Sequence, residues 1–162
     1  DASVAVRDGS PINVGNREAS HLGVDSTYVT ASSSLLRSLD FMPGFEMPIN
    51  TPTRVFQLRT YENPTEIARQ KKIQMFRDGE FEIFRRVGLA PVFFTETLFG
   101  TGLPNLTYML SFDDMIALES AWSRFVKDSE WKTMIERPDY SDDLLIRSIR
   151  NEVLFPIEAS QM

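Results

Sequence analysis

The amino-acid sequence predicts an α+β domain of the ferredoxin-like type, in which the elements follow the order β-α-β-β-α-β. Residues 54 to 61 alternate in polarity and lead directly into an amphipathic helical pattern. Two strand-like runs, 91 to 99 and 105 to 112, are separated by a turn rich in glycine and proline, which indicates a hairpin. A second helical pattern and a final strand follow. We therefore expect a four-stranded antiparallel sheet with two helices on one face.

The first strand is predicted over residues 54 to 61, RVFQLRTY, because successive side chains of a strand point to opposite faces. One face carries Phe56, Leu58 and Thr60, and the other carries Val55, Gln57, Arg59 and Tyr61. We expect the helices to cover the first set, which leaves the second set on the helix-free face of the sheet.

The first helix is predicted to begin within the sequence NPTE at 63 to 66, with Asn63 as the N-cap and the glutamate closing a capping box. Its apolar stripe is interrupted by Gly79 and includes the charged Glu80. Gly88 follows two arginines and is expected to end the helix in a left-handed conformation.

The C-terminal part of the chain is predicted to contain a second helix, a short helical turn and the last strand. Asp113 is expected to cap the second helix, and Ser129 the following turn. The last strand is predicted over residues 144 to 155, before a proline.

The N-terminal third differs in composition from this domain. Residues 1 to 26 are polar and lack periodicity, so we expect a flexible arm. Residues 27 to 52 are interpreted as a strand, between 27 and 39, followed by a proline-rich linker. The domain itself is expected over residues 53 to 156, with a tail at 157 to 162.

Composition excludes several classes of function. The chain has 17 basic and 23 acidic residues, a net charge of −6, which argues against nucleic-acid binding. No apolar run reaches the roughly 20 residues of a membrane span, so the sequence predicts a soluble protein. There is no cysteine, and the chain begins at Asp1. The compartment stays open between the cytoplasm and export after removal of a leader.

Several segments together resemble the NIPSNAP family of the dimeric α+β barrel superfamily. They are FQLRTY at 56 to 61, IFRRVG at 83 to 88, PVFFTETLFG at 91 to 100, NLTYMLSFDD at 105 to 114, and the AW and EW pairs between 121 and 131. The resemblance covers residues 53 to 156 and is to the C-terminal copy of tandem bacterial members. It implies a ferredoxin-like fold and barrel pairing, with residues 27 to 52 as a possible remnant of a preceding copy. It implies no catalytic residues, because the family has no agreed set.

Most polar groups of the sequence have an ordinary structural interpretation. His21 is the only histidine and lies in the polar arm, so we assign it no catalytic or metal-binding role. The acidic pairs at 113 to 114 and 142 to 143 precede structural elements, where carboxylates cap helices or solvate loops. The sequence contains no metal-binding motif, and we predict neither a metal nor a cofactor.

The candidate site is the polar set expected on the helix-free face. Gln57, Arg59 and Tyr61 are candidate ligand-binding residues, and Arg59, Tyr61 and Glu96 are candidate catalytic residues; Thr95 and Thr97 are alternatives to Glu96. In an enzyme, Arg59 would bind a carboxylate or enolate oxygen, Tyr61 would donate a proton, and Glu96 would act as the base. The competing interpretation, which we favour, is a structural Arg-Glu-Tyr network.

Two functions follow as hypotheses. The first is a binding or interaction module that holds a small apolar or aromatic molecule in the barrel lumen. The second is a metal-free, cofactor-independent enzyme of the monooxygenase or isomerase type. In both, two helices cover only one face of the sheet, so we expect a homodimer in which a second sheet covers the other face.

Overall fold

The computed structural model describes residues 5–6, 32–46, 51–158 and 160. Its strands are β1 (Ala5–Val6), β2 (Leu35–Ser38), β3 (Val55–Glu62), β4 (Ala90–Phe99), β5 (Asn105–Phe112) and β6 (Ser148–Phe155). Its helices are α1 (Glu66–Met75), α2 (Phe81–Val87), α3 (Met115–Lys127), α4 (Ser129–Ile135) and α5 (Asp142–Leu145). A π-helical turn, Phe76–Glu80, joins α1 to α2, and a 3-10 turn, Pro138–Tyr140, precedes α5.

The six strands form one antiparallel sheet in the order β1-β6-β3-β5-β4-β2. Along the chain, β3, α1–α2, β4, β5, α3 and β6 reproduce the predicted β-α-β-β-α-β pattern. The ferredoxin-like α+β fold is therefore confirmed.

The N-terminal part of the chain adds a strand to each edge of this core. The strand expected between 27 and 39 lies at Leu35–Ser38 and pairs with β4. Within the predicted arm, Ala5–Val6 pair with the end of β6. The rest of residues 1–31, His21 included, and residues 47–50 of the linker lie outside the described residues.

The N-caps of both long helices lie one or two residues after the predicted positions. Thr65, not Asn63, is the N-cap of α1, and its hydroxyl accepts a hydrogen bond from the first turn of the helix. Asn63 is buried and donates instead to the Leu145 carbonyl. Asp114, not Asp113, caps α3 in the same way. In both cases the true cap has the extended backbone that lets its side chain turn back onto the helix.

Two boundaries in the C-terminal part also differ from the prediction. Asp128, rather than Ser129, caps α4 by accepting hydrogen bonds from two backbone N–H groups of its first turn. The last strand, predicted from residue 144, begins at Ser148. The short helix α5 comes before it and buries Leu145 against the core.

The long helical segment between β3 and β4 contains the two glycine features that the sequence predicts. Gly79 has φ of 145°, which other residues rarely adopt, and it lies in the π-helical turn between α1 and α2. This turn places Glu80 inside the protein. Gly88 ends α2 in the left-handed conformation, as expected.

The core between the sheet and the helices is mainly aromatic. The rings of Phe94 and Tyr108 stack with 4.6 Å between their centroids, and Phe76 meets Phe94 edge to face at 4.9 Å. Phe84 packs on Tyr108 and joins this group to Phe125 of α3. These contacts hold both helices against the same face of the sheet.

The predicted facing of β3 is wrong. Val55, Gln57, Arg59 and Tyr61 lie on the helix-covered face, and Phe56, Leu58 and Thr60 lie on the helix-free face. Alternation groups these residues correctly, but it does not say which group the helices cover. The Tyr61 ring packs edge to face against Tyr108, beneath the helices. With this facing of β3, Tyr61 is part of the core beneath the helices.

Candidate functional site

A pocket of about 290 Å³ lies on the helix-free face of the sheet. Its floor comes from the middle of the four core strands and its side from the chain around β2. The lining side chains are Ser34, Leu36, Leu58, Thr60, Phe93, Thr97, Thr101, Asn105, Thr107, Met109, Arg150 and Glu152. Apolar side chains and neutral hydroxyls thus make up most of the surface.

The threonines of the pocket are held by hydrogen bonds across the strands. The hydroxyls of Thr60 and Thr107 lie 3.0 Å apart on the neighbouring strands β3 and β5. Thr97 donates to Oδ1 of Asn105 at 2.6 Å, and Thr95, which does not itself line the pocket, donates to the Thr107 carbonyl at 2.7 Å. β-branched side chains suit a strand, and their methyl groups leave the pocket surface amphipathic.

Two charged side chains, Arg150 and Glu152, stand at the β6 side of the pocket. The guanidinium of Arg150 is 3.7 Å from a carboxylate oxygen of Glu62, and its side chain is 57% exposed. A long contact of this kind at the surface contributes little stability. Arg150 therefore has most of its hydrogen-bonding capacity directed to solvent.

Large apolar side chains surround the pocket and are exposed. Phe99 at the end of β4 is 74% exposed, and Phe45 is 72% exposed although its ring meets Phe93 edge to face. Leu36 of β2 lines the pocket and is also exposed. An apolar rim around a concave surface is typical of an interaction site.

The predicted site residues lie on the opposite side of the sheet. The hydroxyls of Tyr61 and Tyr108 are hydrogen-bonded at 2.7 Å beneath the helices, and both residues are buried. Burial raises the pKa of Tyr61, and it raises the pKa of Tyr108 well above its ordinary value. Both phenols are therefore neutral at physiological pH.

A buried ion pair lies close to the tyrosines. The Lys72 ammonium donates to both carboxylate oxygens of Glu80, at 2.9 and 3.2 Å. Burial by itself lowers the pKa of Lys72, but the attraction of Glu80 and of Tyr61 outweighs it and raises the pKa. Burial raises the pKa of Glu80, an effect that Lys72 reduces. The pair gives the inward-facing Glu80 of the π-helical turn its partner.

Arg59 and Gln57 contact α3 from below. The Arg59 guanidinium lies over the Trp122 ring, 4.4 Å from its centroid, and 5.4 Å from that of Tyr61. The Trp122 indole N–H donates to Oε1 of Gln57 at 2.6 Å, and Gln57 donates to Oδ1 of Asn151 at 2.9 Å. Arg59 is thus neither in the pocket nor fully exposed.

Glu96 is held between two arginines on the helix-covered face. Arg69 of α1 and Arg37 of β2 both form ion pairs with its carboxylate. Glu96 therefore ties the edge strand β2 to the helix layer, while Thr97, its neighbour in sequence, lines the pocket. Gln57, Arg59, Tyr61 and Glu96 thus all lie on the helix-covered face. The Glu96 carboxylate is paired with Arg37 and Arg69, however, and not with any of the other three residues.

Sequence reasoning missed most of the pocket residues. It considered Thr95 and Thr97 only as substitutes for Glu96, and it gave no role to Thr60 or Thr107. The available signal was weak: Thr95 and Thr97 are two residues apart on one predicted strand, and Thr60 and Thr107 are single threonines on two others.

The fold and the pocket together define an α+β domain of the ferredoxin-like class with an amphipathic surface on its helix-free face. The NIPSNAP family model matches residues 56–161 of the chain. The match covers more than half of the sequence, so the chain belongs to the NIPSNAP family. Of the curated proteins, none matches the chain.

Solved structures of other NIPSNAP proteins share this fold. An uncharacterized NIPSNAP-like domain protein from Burkholderia xenovorans is similar with a TM-score of 0.59 and 17% identity, over 67% of this chain and 90% of that one. A NIPSNAP family protein from Agrobacterium tumefaciens is similar with a TM-score of 0.59 and 16% identity, over 72% and 97%. At these identities the similarity concerns the fold.

None of the helices in the described part of the chain has the length and apolar character that a membrane span requires. Across residues 32–46 and 51–158, no group of three or more metal-ligating side chains is arranged to hold a metal ion.

Proposed function

We propose that this NIPSNAP protein is a dimeric binding module that holds a small molecule with an apolar or aromatic body in the pocket on its helix-free face. The pocket itself carries the proposal: Leu58, Phe93 and Met109 offer apolar surface, and threonine hydroxyls offer a few polar contacts. Such a combination is typical of small-molecule sites. Its volume of about 290 Å³ suits a ligand with one or two rings.

Exposed apolar groups support the dimer. Phe45 and Phe99 expose large apolar surfaces to water, which is unfavourable, and both border the pocket face. A second sheet packed on this face would cover them and close the pocket. Ligand and partner would then share one surface.

The alternative function, a cofactor-independent enzyme, receives less support. Its candidate groups Arg59, Tyr61 and Glu96 do not line the pocket. Among the described residues, the only ionisable side chains that line it are Arg150 and Glu152. General acid–base catalysis needs a group within hydrogen-bond reach of the reacting proton. A binding role needs only the surface that the pocket offers.

A thermal-shift screen tests the ligand. Aromatic acids, quinones, flavins and haem are added singly to the full chain, and a molecule that binds the folded state raises the melting temperature. The variant Thr60→Phe fills the pocket and is expected to abolish the shift given by a hit. Glu119→Phe, on the exposed side of α3, is the matched control and keeps the shift. Equal shifts in both variants would place the ligand elsewhere.

Sedimentation equilibrium tests the dimer. Phe99→Asp puts a charge into the proposed interface and is expected to give a monomer at concentrations where the unchanged chain is a dimer. Ile116→Asp is the control, because Ile116 lies on α3 and is 73% exposed, nearly as much as Phe99. A monomeric unchanged chain at high concentration would refute the proposed assembly.

A further inference from the structure

The guanidinium of Arg59 has no acceptor among the described residues. Its Nε is buried without a hydrogen-bond partner, and its contacts are with the faces of aromatic rings. A partly buried arginine normally satisfies its five donors with carboxylates or carbonyls, because unpaired donors lose their hydration without replacement. Here Nε itself is buried, and the two terminal Nη groups are the donors that remain available on the helix-covered side of the sheet.

A second free donor lies opposite Arg59. In the pairing of β3 with β6, Arg59 is directly across from Asn151, so the two side chains point to the same face of the sheet, with Cβ atoms about 5 Å apart. Oδ1 of Asn151 accepts the hydrogen bond from Gln57, which is itself fixed by Trp122. The Nδ2 group of Asn151 is thereby left as a donor, and Asn151 is exposed.

Two apolar side chains that keep some exposed surface, Ile149 and Trp122, lie near these donors. Ile149 lies on the same face of β6, two residues from Asn151, and is 44% exposed. The Trp122 ring is only partly buried and lies 4.4 Å from the guanidinium carbon of Arg59, a cation–π contact that restrains the arginine side chain. The guanidinium is therefore positioned before any ligand arrives.

The charge balance around Arg59 leaves room for an anion. Lys72 and Glu80 neutralise one another at 2.9 Å, so this neighbouring pair does not supply a full counter-charge to Arg59. A single guanidinium and one amide match a carboxylate, which accepts two parallel N–H bonds from arginine. A phosphate dianion would require more positive charge than this acidic chain places there.

We propose that Arg59 and Asn151 form a binding site for the carboxylate of a small organic acid, whose apolar body lies on Ile149 and Trp122. The site is on the helix-covered side of β3 and β6, across the sheet from the pocket of the proposed function, and it does not depend on that function. Gln57 and Trp122 act as positioning residues, since they hold the Asn151 amide and restrain the Arg59 side chain.

An NMR titration of the full chain with phenylacetate tests this site. The Arg59 Nε–H signal, identified by its loss in Arg59→Met, and the Trp122 indole N–H signal are expected to shift saturably. Phenylacetamide, which has the same ring without the charge, and inorganic phosphate are expected to bind at least about tenfold more weakly. Asn151→Asp, an exposed substitution that replaces a donor by a negative charge, is expected to weaken phenylacetate binding by at least about tenfold.

Arg150→Met and Thr60→Phe are the controls, because both alter the pocket on the other face and leave Arg59 and Asn151 unchanged. Retained phenylacetate binding in these controls, with loss in Asn151→Asp, supports the site. The proposal is overturned if the two signals do not saturate, if phenylacetamide binds as tightly as phenylacetate, or if the pocket variants abolish the shifts. Asn151→Asp changes an exposed side chain and is expected to leave the protein folded. The test therefore stands even if Arg59→Met does not fold.

Discussion

On the helix-covered face of the sheet the fully buried polar groups are mainly charged or phenolic, whereas on the helix-free face the polar groups are mainly threonine hydroxyls around an open pocket. The first set includes Lys72 paired with Glu80 and Tyr61 bonded to Tyr108. The second is bonded within the sheet itself, as the contact of Thr60 with another threonine shows.

This difference follows from solvation. A fully buried charge, such as Lys72 or Glu80, has lost its water and requires a protein partner, so its position is fixed by the fold. A threonine beside a pocket satisfies its hydroxyl within the sheet and still presents a methyl group to a ligand. The fully buried polar groups are therefore mainly structural, and the less charged face is the one that suits an uncharged ligand with an apolar body.

The largest expected effect separates two neighbours in sequence. Phe94 is fully buried on the helix-covered face, while Phe93 is half-buried on the helix-free face. Phe94→Ala is expected to lower the free energy of unfolding by about 3–5 kcal/mol, because it opens a cavity among aromatic rings. Phe93→Ala is expected to cost about 1 kcal/mol. Urea unfolding measures both, and equal losses would contradict the proposed difference between the faces.

The buried ion pair provides the next comparison. Lys72→Met leaves Glu80 buried without its partner and is expected to lower the free energy of unfolding by about 3 kcal/mol. The double variant Lys72→Met/Glu80→Leu removes both charges and is expected to recover most of this loss. Arg147→Met is the surface control, since it removes an exposed contact with Glu62 and is expected to cost less than about 1 kcal/mol. Denaturation curves in urea give all three values. A double variant as unstable as the single one would show that the pair itself stabilises the fold.

The smallest effect concerns pH. Burial raises the pKa of Tyr61 and Tyr108, so above the ordinary tyrosine value of 10.0 the unfolded chain releases protons that the folded chain retains. Their contribution to stability is fully present below that pH and is lost as the pH rises through the folded-state values. Tyr61→Phe is expected to cost about 1–3 kcal/mol at pH 7, where Tyr108 loses its partner, and to flatten the decline above pH 10.

Unfolding free energies measured at several pH values between 7 and 11 check this expectation. Thr60→Val is the matched control, because it removes a hydroxyl that does not titrate from the other face of the same strand. It is expected to lower the curve by a similar amount at every pH. Parallel curves for the unchanged chain and for Tyr61→Phe would contradict the buried phenol assignment.

The sequence by itself determined the element order, the hairpin, the left-handed Gly88 and the family. These depend on local periodicity, on turn residues and on a set of short segments, each of which can be recognised from a few consecutive residues. It also showed that Arg59, Gln57 and Tyr61 share one face of β3, because alternation requires it.

Only the tertiary structure decided which face the helices cover, and thereby where every candidate residue lies. Turning β3 over would exchange the two sets of side chains between the faces of the sheet. Which set the helices cover depends on how residues distant in sequence, such as Tyr61 and Tyr108, pack together. The partners of Glu96 were equally hidden, because Arg69 and Arg37 come from α1 and from the edge strand β2. Long-range packing of this kind leaves no local pattern in the sequence. The pocket on the helix-free face could therefore be recognised only from the tertiary structure, which brings its lining residues together from several strands.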